Sequence, residues 1–88
     1  MKFGEAIEAL KQGKKVSREG WNGKNMFLVY VRETPDVYTA EGTPYFKAGV
    51  INTTINAHID MYTADGNMQP GWLASQTDML AEDWQIAA

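Results

Sequence analysis

The sequence predicts an α+β domain: an N-terminal helix packed on an antiparallel sheet of about five strands, with a short helical turn before the last strand. Three observations predict it. An apolar stripe of helical period opens the chain at Phe3, Ala6, Ile7 and Leu10. Runs of apolar residues suited to strands follow, one of them alternating with period two. Turn signals rich in glycine and asparagine separate those runs. A chain of 88 residues makes a single domain, spanning 1–88.

The first helix covers about residues 3–12. Glu5 and Glu8 stand early and Lys11 late, matching the helix dipole, and Gly13 follows as a C-terminal stop. Lys15 to Arg18 reads as a short strand. Residues 19–24 form a turn around Gly20 and Asn22-Gly23. Residues 25–33 are the strongest strand: Phe27, Val29 and Val31 line one face, and Met26, Leu28 and Tyr30 the other. A strand apolar on both faces is covered on both. The helix supplies one cover, and a second subunit is the expected source of the other.

Residues 34–49 read as a loop with a short hairpin around Glu41-Gly42. Ile55, Ala57, Ile59 and Met61 alternate with polar residues and predict one amphipathic strand. Ala64-Asp65-Gly66-Asn67 predicts a hairpin turn. Met68 and Gln69 begin the return strand, Pro70-Gly71 interrupt it, and Trp72 and Leu73 continue it. Ser75 and Thr77 are candidate N-caps for a helical turn over 78–81. Residues 82–87 close the chain as a strand with Trp84 and Ile86 on one face, which makes Trp84 a core residue.

Composition bounds the function. The chain has no cysteine and one histidine, His58, so thiolate and multi-histidine metal sites within one chain are excluded. No apolar run is long enough to span a membrane, and the N-terminus does not read as a signal peptide. The expectation is a cytoplasmic protein. The net charge of −3 is unevenly spread: residues 1–33 carry seven Lys/Arg and four Glu, and residues 34–88 one Lys and seven acids. An acidic chain argues against DNA as the partner. It leaves room for a small nucleotide, because Lys11, Lys14, Lys15, Arg18 and Lys24 cluster around the first tryptophan segment. That cluster reads either as a solvated turn or as a local anion site. So small a domain, without disulfides, also gains from oligomerisation.

Nothing in the sequence supports turnover. His58 and Asp60 share a strand face but have no nucleophile near them, so a solvent-facing polar stripe is the plainer reading. Glu82 and Asp83 point to opposite faces of a strand. The expectation is a protein without catalytic residues, cofactor or metal.

Binding is better served. Arg18-Glu19-Gly20-Trp21-Asn22-Gly23-Lys24 and Gly71-Trp72-Leu73-Ala74-Ser75-Gln76-Thr77-Asp78 each set a Trp among turn-forming, hydrogen-bonding residues. Trp21 and Trp72 can stack on a planar ligand, at about 1–3 kcal/mol for each base stacked. Asn22, Ser75 and Gln76 can donate and accept along its edge, and Asp78 can accept from ribose hydroxyls. Backbone N–H groups at Ser75, Gln76 and Thr77 offer an anion seat, with Arg18 and Lys24 adding charge. The alternative, that both Trp are core and the Ser and Thr merely caps, stays open.

The same two segments, the second extended through Met79-Leu80-Ala81-Glu82-Asp83-Trp84, closely resemble a family of phage and prophage proteins, the second type of Thoeris anti-defence protein. The opening Met1-Lys2-Phe3-Gly4-Glu5-Ala6 carries the resemblance too, and it covers the whole length. It implies a non-enzymatic sponge. Such a protein sequesters cyclic ADP-ribose isomers (glycocyclic ADP-ribose), the signals made by bacterial TIR proteins of Thoeris. Some relatives also hold cyclic oligonucleotides at a separate site. The resemblance further implies a homotetramer with pockets at subunit interfaces, formed by Trp21 and Asn22 with Trp72, Ala74, Ser75, Gln76, Thr77 and Asp78. From the residues alone, a protein-binding inhibitor with the Trp as interface anchors is the competing reading.

Overall fold

A computed structural model describes residues 1–21 and 24–87. The opening stripe becomes helix α1, Phe3–Lys11, whose Ala6, Ala9 and Leu10 are buried. The Lys2 N–H donates to Glu5 Oε1 at 2.9 Å and closes its start. Gly13, at φ +88, ends it, its N–H donating to the Leu10 carbonyl. An L side chain would be strained in that left-handed conformation, which is why glycine follows the helix.

The strands are β1 (Val16–Arg18), β2 (Phe27–Val31), β3 (Thr34–Tyr38), β4 (Asn52–Ile55), β5 (His58–Tyr62), β6 (Met68–Gln69) and β7 (Trp84–Ile86). Five of them form one antiparallel sheet in the order β6-β5-β2-β1-β7. A one-turn 3-10 helix, Glu19–Trp21, follows β1, and α3, Gln76–Leu80, precedes β7. The predicted α+β architecture is therefore the observed one.

Register sorts the side chains. Val16 pairs with Leu28 and Ile86, and Arg18 with Trp84, so these point to the helix side with Tyr30, Ile59 and Met61. Val16, Leu28, Leu10 and Trp84 are the largest fully buried side chains. The opposite face carries Ser17, Phe27, Val29, Val31, His58, Asp60, Tyr62 and Gln85.

Three local expectations are corrected. Residues 34–49 are not a loop: β3 and β4 pair as a separate two-stranded sheet, with helix α2, Pro44–Lys47, at its tip. Thr43 caps α2, accepting from the Phe46 N–H. The period-two run from Ile55 to Tyr62 is two strands, because the chain leaves this arm at Asn56-Ala57 and enters the main sheet at His58. β4 alternates exposed and half-buried residues, whereas every residue of β5 is at least partly buried, so the shared period does not reflect one continuous half-exposed strand. Trp72 and Leu73 do not extend β6. Gly71 takes φ +75, and the Trp72 N–H reaches the Ile59 carbonyl at 2.7 Å while its ring packs on the helix side.

The arm gives the molecule its shape. The radius of gyration is 15.5 Å with extents of 43 × 26 × 24 Å, whereas a compact domain of this length has about 12 Å. Among the described residues, β3 and β4 pair with each other and pack substantially on no other element. Tyr38, Tyr45, Val50 and Ile51 are exposed on the arm, Tyr38 at 78%.

Candidate functional site

The two tryptophan segments, distant in sequence, meet around Trp84. Trp84 is buried, and Phe3 and Trp21 each lie 5.4 Å from it between ring centroids. Trp72 lies at 6.2 Å, and both Trp21 and Trp72 present edge-to-face geometry. The Trp84 Nε1–H donates to the Asp78 carbonyl at 2.9 Å. Trp84 is thus a core residue, as expected. Trp21 and Trp72 are half-buried and packed against the core, so each has at most part of its ring surface open to a ligand.

A polar clasp joins the same segments. Arg18 donates from Nε to Asp83 and from an Nη to Asp78, both at 2.9 Å. Asp83 Oδ2 also accepts the Gly20 N–H at 2.8 Å. A Cβ at Gly20 would stand 2.9 Å from that oxygen, so only glycine fits there without displacing the carboxylate. The bond to Asp83 and then that to Asp78 raise the Arg18 pKa. Asp83 is held below the ordinary carboxylate range by Arg18 and by the Gly20 N–H. Burial pushes Asp78 up, but bonds from Ser75 and Arg18 outweigh it and the group ends below its ordinary value.

At α3 the start lies two residues earlier than predicted. Ser75 is the N-cap, and its Oγ accepts the Asp78 N–H at 3.0 Å. Asp78 in return accepts the Ser75 N–H at 3.2 Å. Thr77 lies inside the helix. The Ser75 N–H, expected to seat an anion, is thus already occupied by a carboxylate of the same chain, the usual reciprocal cap. Gln76 and Thr77 are exposed and Ala74 is half-buried. Leu73 and Leu80 beside them are exposed at 90% and 78%. Asn22 and Gly23, the expected turn residues, lie outside the described residues.

A groove of about 680 Å³ opens on the other side of the first segment. Arg18, Trp21 and Lys24 line it, as do Lys15, Phe27 and Tyr62, which sequence reasoning did not select. Its volume falls in the range of about 300–1,000 Å³ typical of small-molecule sites. The Trp72 segment does not line it within one chain. Lys15 stood in the basic cluster of the sequence, but nothing local showed that it would meet Phe27, twelve residues on.

The His58–Asp60 pair is not a solvated stripe. Asp60 is buried, and its Oδ1 lies 2.6 Å from His58 Nδ1 and accepts the Gly71 N–H at 2.9 Å. It fixes the corner leading into Trp72. No group of three potential metal ligands occurs among the described residues.

Fold and groove together define a small α+β module with a groove lined by cations and aromatic rings. Comparison with known proteins places it among phage anti-defence modules. Residues 1–87 match the family described as Thoeris anti-defense 2-like domain. The chain is also 42% identical over 88 residues to Thoeris anti-defense 2 of Bacillus phage SP01, covering all of this chain and 96% of that protein. The chain belongs to the Thoeris anti-defense 2-like family.

Proposed function

We propose that the protein counters Thoeris defence as a sponge. It binds cyclic ADP-ribose-type signals (glycocyclic ADP-ribose) made by Thoeris TIR proteins and holds them without degrading them, in the cytoplasm of the infected bacterium. The observation that carries this reading is the groove, which sets Lys15 and Lys24 beside the rings of Trp21, Phe27 and Tyr62 in a chain of this family. Cations suit a diphosphate, and ring edges and faces suit a base. The mechanism is stoichiometric and needs an affinity near nanomolar, about −12 kcal/mol.

The working unit in this reading is a homotetramer with its pockets between subunits. Support comes from surfaces one chain leaves uncovered: the arm with Tyr38 and Ile51, and the exposed leucines flanking Ala74, Ser75, Gln76, Thr77 and Asp78. In the assembly that second segment, with Trp72, closes a wall of the pocket against a neighbouring subunit. No helix among the described residues is long and apolar enough to cross a membrane.

Calorimetry with a panel of cyclic ADP-ribose isomers and cyclic oligonucleotides tests the sponge. It predicts tight binding of at least one isomer, and chromatography of the heat-released ligand returns it unaltered. No heat with any isomer refutes the reading, and an altered product replaces it with an enzyme. A protein-binding inhibitor is the second reading, favoured by the exposed apolar arm. It predicts that Trp fluorescence is unmoved by nucleotides and changes with a host or phage protein.

A further inference from the structure

Five cations surround the first tryptophan segment in sequence, but they are not equivalent in space. Arg18 is committed: two carboxylates of its own chain hold its guanidinium, each at 2.9 Å. A phosphate approaching it meets Asp78 and Asp83 as well, so its charge is already answered.

Lys15 is placed differently. Its Nζ stands 4.5 Å from the centroid of the Phe27 ring. Phe27 stacks in turn on Tyr62, with centroids 4.8 Å apart and planes 17° apart. β2 lies between β1 and β5, so Lys15 approaches Phe27 from the β1 side and Tyr62 from the β5 side. The result is a three-layer stack of ammonium, phenyl and phenol along one wall of the groove. The cation–π contact holds the ammonium without neutralising it, because a ring quadrupole carries no net charge. Among the described residues, no ion pair involves Lys15. The ring also restricts a side chain that would otherwise lose much rotamer entropy on binding. Ser17 and Gln85, neutral hydrogen-bonding groups, line the same wall, and Glu19 is the one carboxylate side chain among the lining residues.

We infer that Lys15, held over Phe27 and backed by Tyr62, is an anion-binding residue of the groove, taking a phosphate of a diphosphate-containing ligand, and that Arg18 instead holds the two tryptophan segments together. This deepens the sponge reading and rests on it for the natural ligand, but not for the diphosphate chemistry.

The test is calorimetry on the full chain with two probes, inorganic pyrophosphate and cyclic ADP-ribose, using Lys15→Gln, Lys15→Arg and Phe27→Leu. Lys15 is only half-buried, so its variants fold, which far-UV circular dichroism verifies. Losing one charge-assisted contact weakens pyrophosphate binding by about tenfold or more in Lys15→Gln. Lys15→Arg retains most of the affinity. Phe27→Leu keeps the charge but frees it, for a loss of about threefold to fivefold. Wild-type protein that ignores pyrophosphate, or Lys15→Gln that binds both probes as wild type does, overturns the inference. A Lys15-dependent pyrophosphate site in a protein that ignores every cyclic ADP-ribose isomer leaves it standing and removes the sponge instead.

Discussion

Replacing Trp84 with phenylalanine tests whether one buried indole organises both tryptophan segments. Trp84 is 2% exposed and touches the rings of Phe3, Trp21 and Trp72. Its Nε1–H satisfies the Asp78 carbonyl. Phenylalanine keeps a ring in the site but has no donor, and loss of that bond costs about 1 kcal/mol. The smaller ring leaves a void of about 40 Å³, which at ~24 cal/mol per Å³ adds about 1 kcal/mol beyond the lost transfer energy. Weakened edge-to-face contacts bring the total to about 2–3 kcal/mol. At about 4–8 °C per kcal/mol for a domain this size, Tm falls by about 10–20 °C. Urea titration followed by far-UV circular dichroism reads the loss without relying on Trp emission. A loss below about 1 kcal/mol would refute the reasoning, because Trp84 would then be neither packed nor bonded as described.

Three further outcomes are expected. Asp78 and Asp83 have depressed pKa values in the folded chain, so their stabilisation is present above the unfolded value of about 3.9 and is lost as pH falls through the folded values. Arg18→Gln therefore flattens the fall in stability below about pH 4 that wild-type protein shows in acid titration, and an unchanged slope would dismiss the clasp. Gly20→Ala pushes the new Cβ against Asp83 Oδ2 and lowers Tm by about 4–8 °C; in an Asp83→Ala background, thermal melts show the penalty largely gone. Tyr38→Glu with Ile51→Glu places charge on the arm's exposed apolar surface and lowers the mass seen in sedimentation equilibrium, while a wild-type chain that sediments as a monomer removes the tetramer.

The half-burial of Trp21 and Trp72 affects how their variants are read. Alanine at either position removes packing on Trp84 as well as ring surface open to a ligand, so a loss of capture counts only for the folded fraction. Phenylalanine variants, which keep a ring against Trp84, separate the two effects.

What the sequence determined by itself was local. The stripe from Phe3 to Leu10 forms its helix because period and glycine stop agree within one segment. The turn at 64–67 forms its hairpin, with the Thr63 N–H reaching the Asn67 carbonyl, because the turn residues need no distant partner. Ser75 caps α3 through Asp78, three residues on. The two apolar faces of β2 were legible from alternation, and the family from motifs at both ends. Tertiary structure alone decided the rest. Arg18 finds Asp83 at a separation of 65 residues, and no periodicity encodes such a partner. The Lys15–Phe27–Tyr62 stack depends on the order β5-β2-β1, which only strand pairing sets. Only a short hairpin around Glu41-Gly42 was legible in the arm; its strands β3 and β4 were not, because they cover no core of their own chain and the hydrophobic contrast that marks a strand in sequence is weak there. The paired Trp segments were visible as motifs, but their shared rest on Trp84 was set by packing, which acts between residues regardless of their distance along the chain.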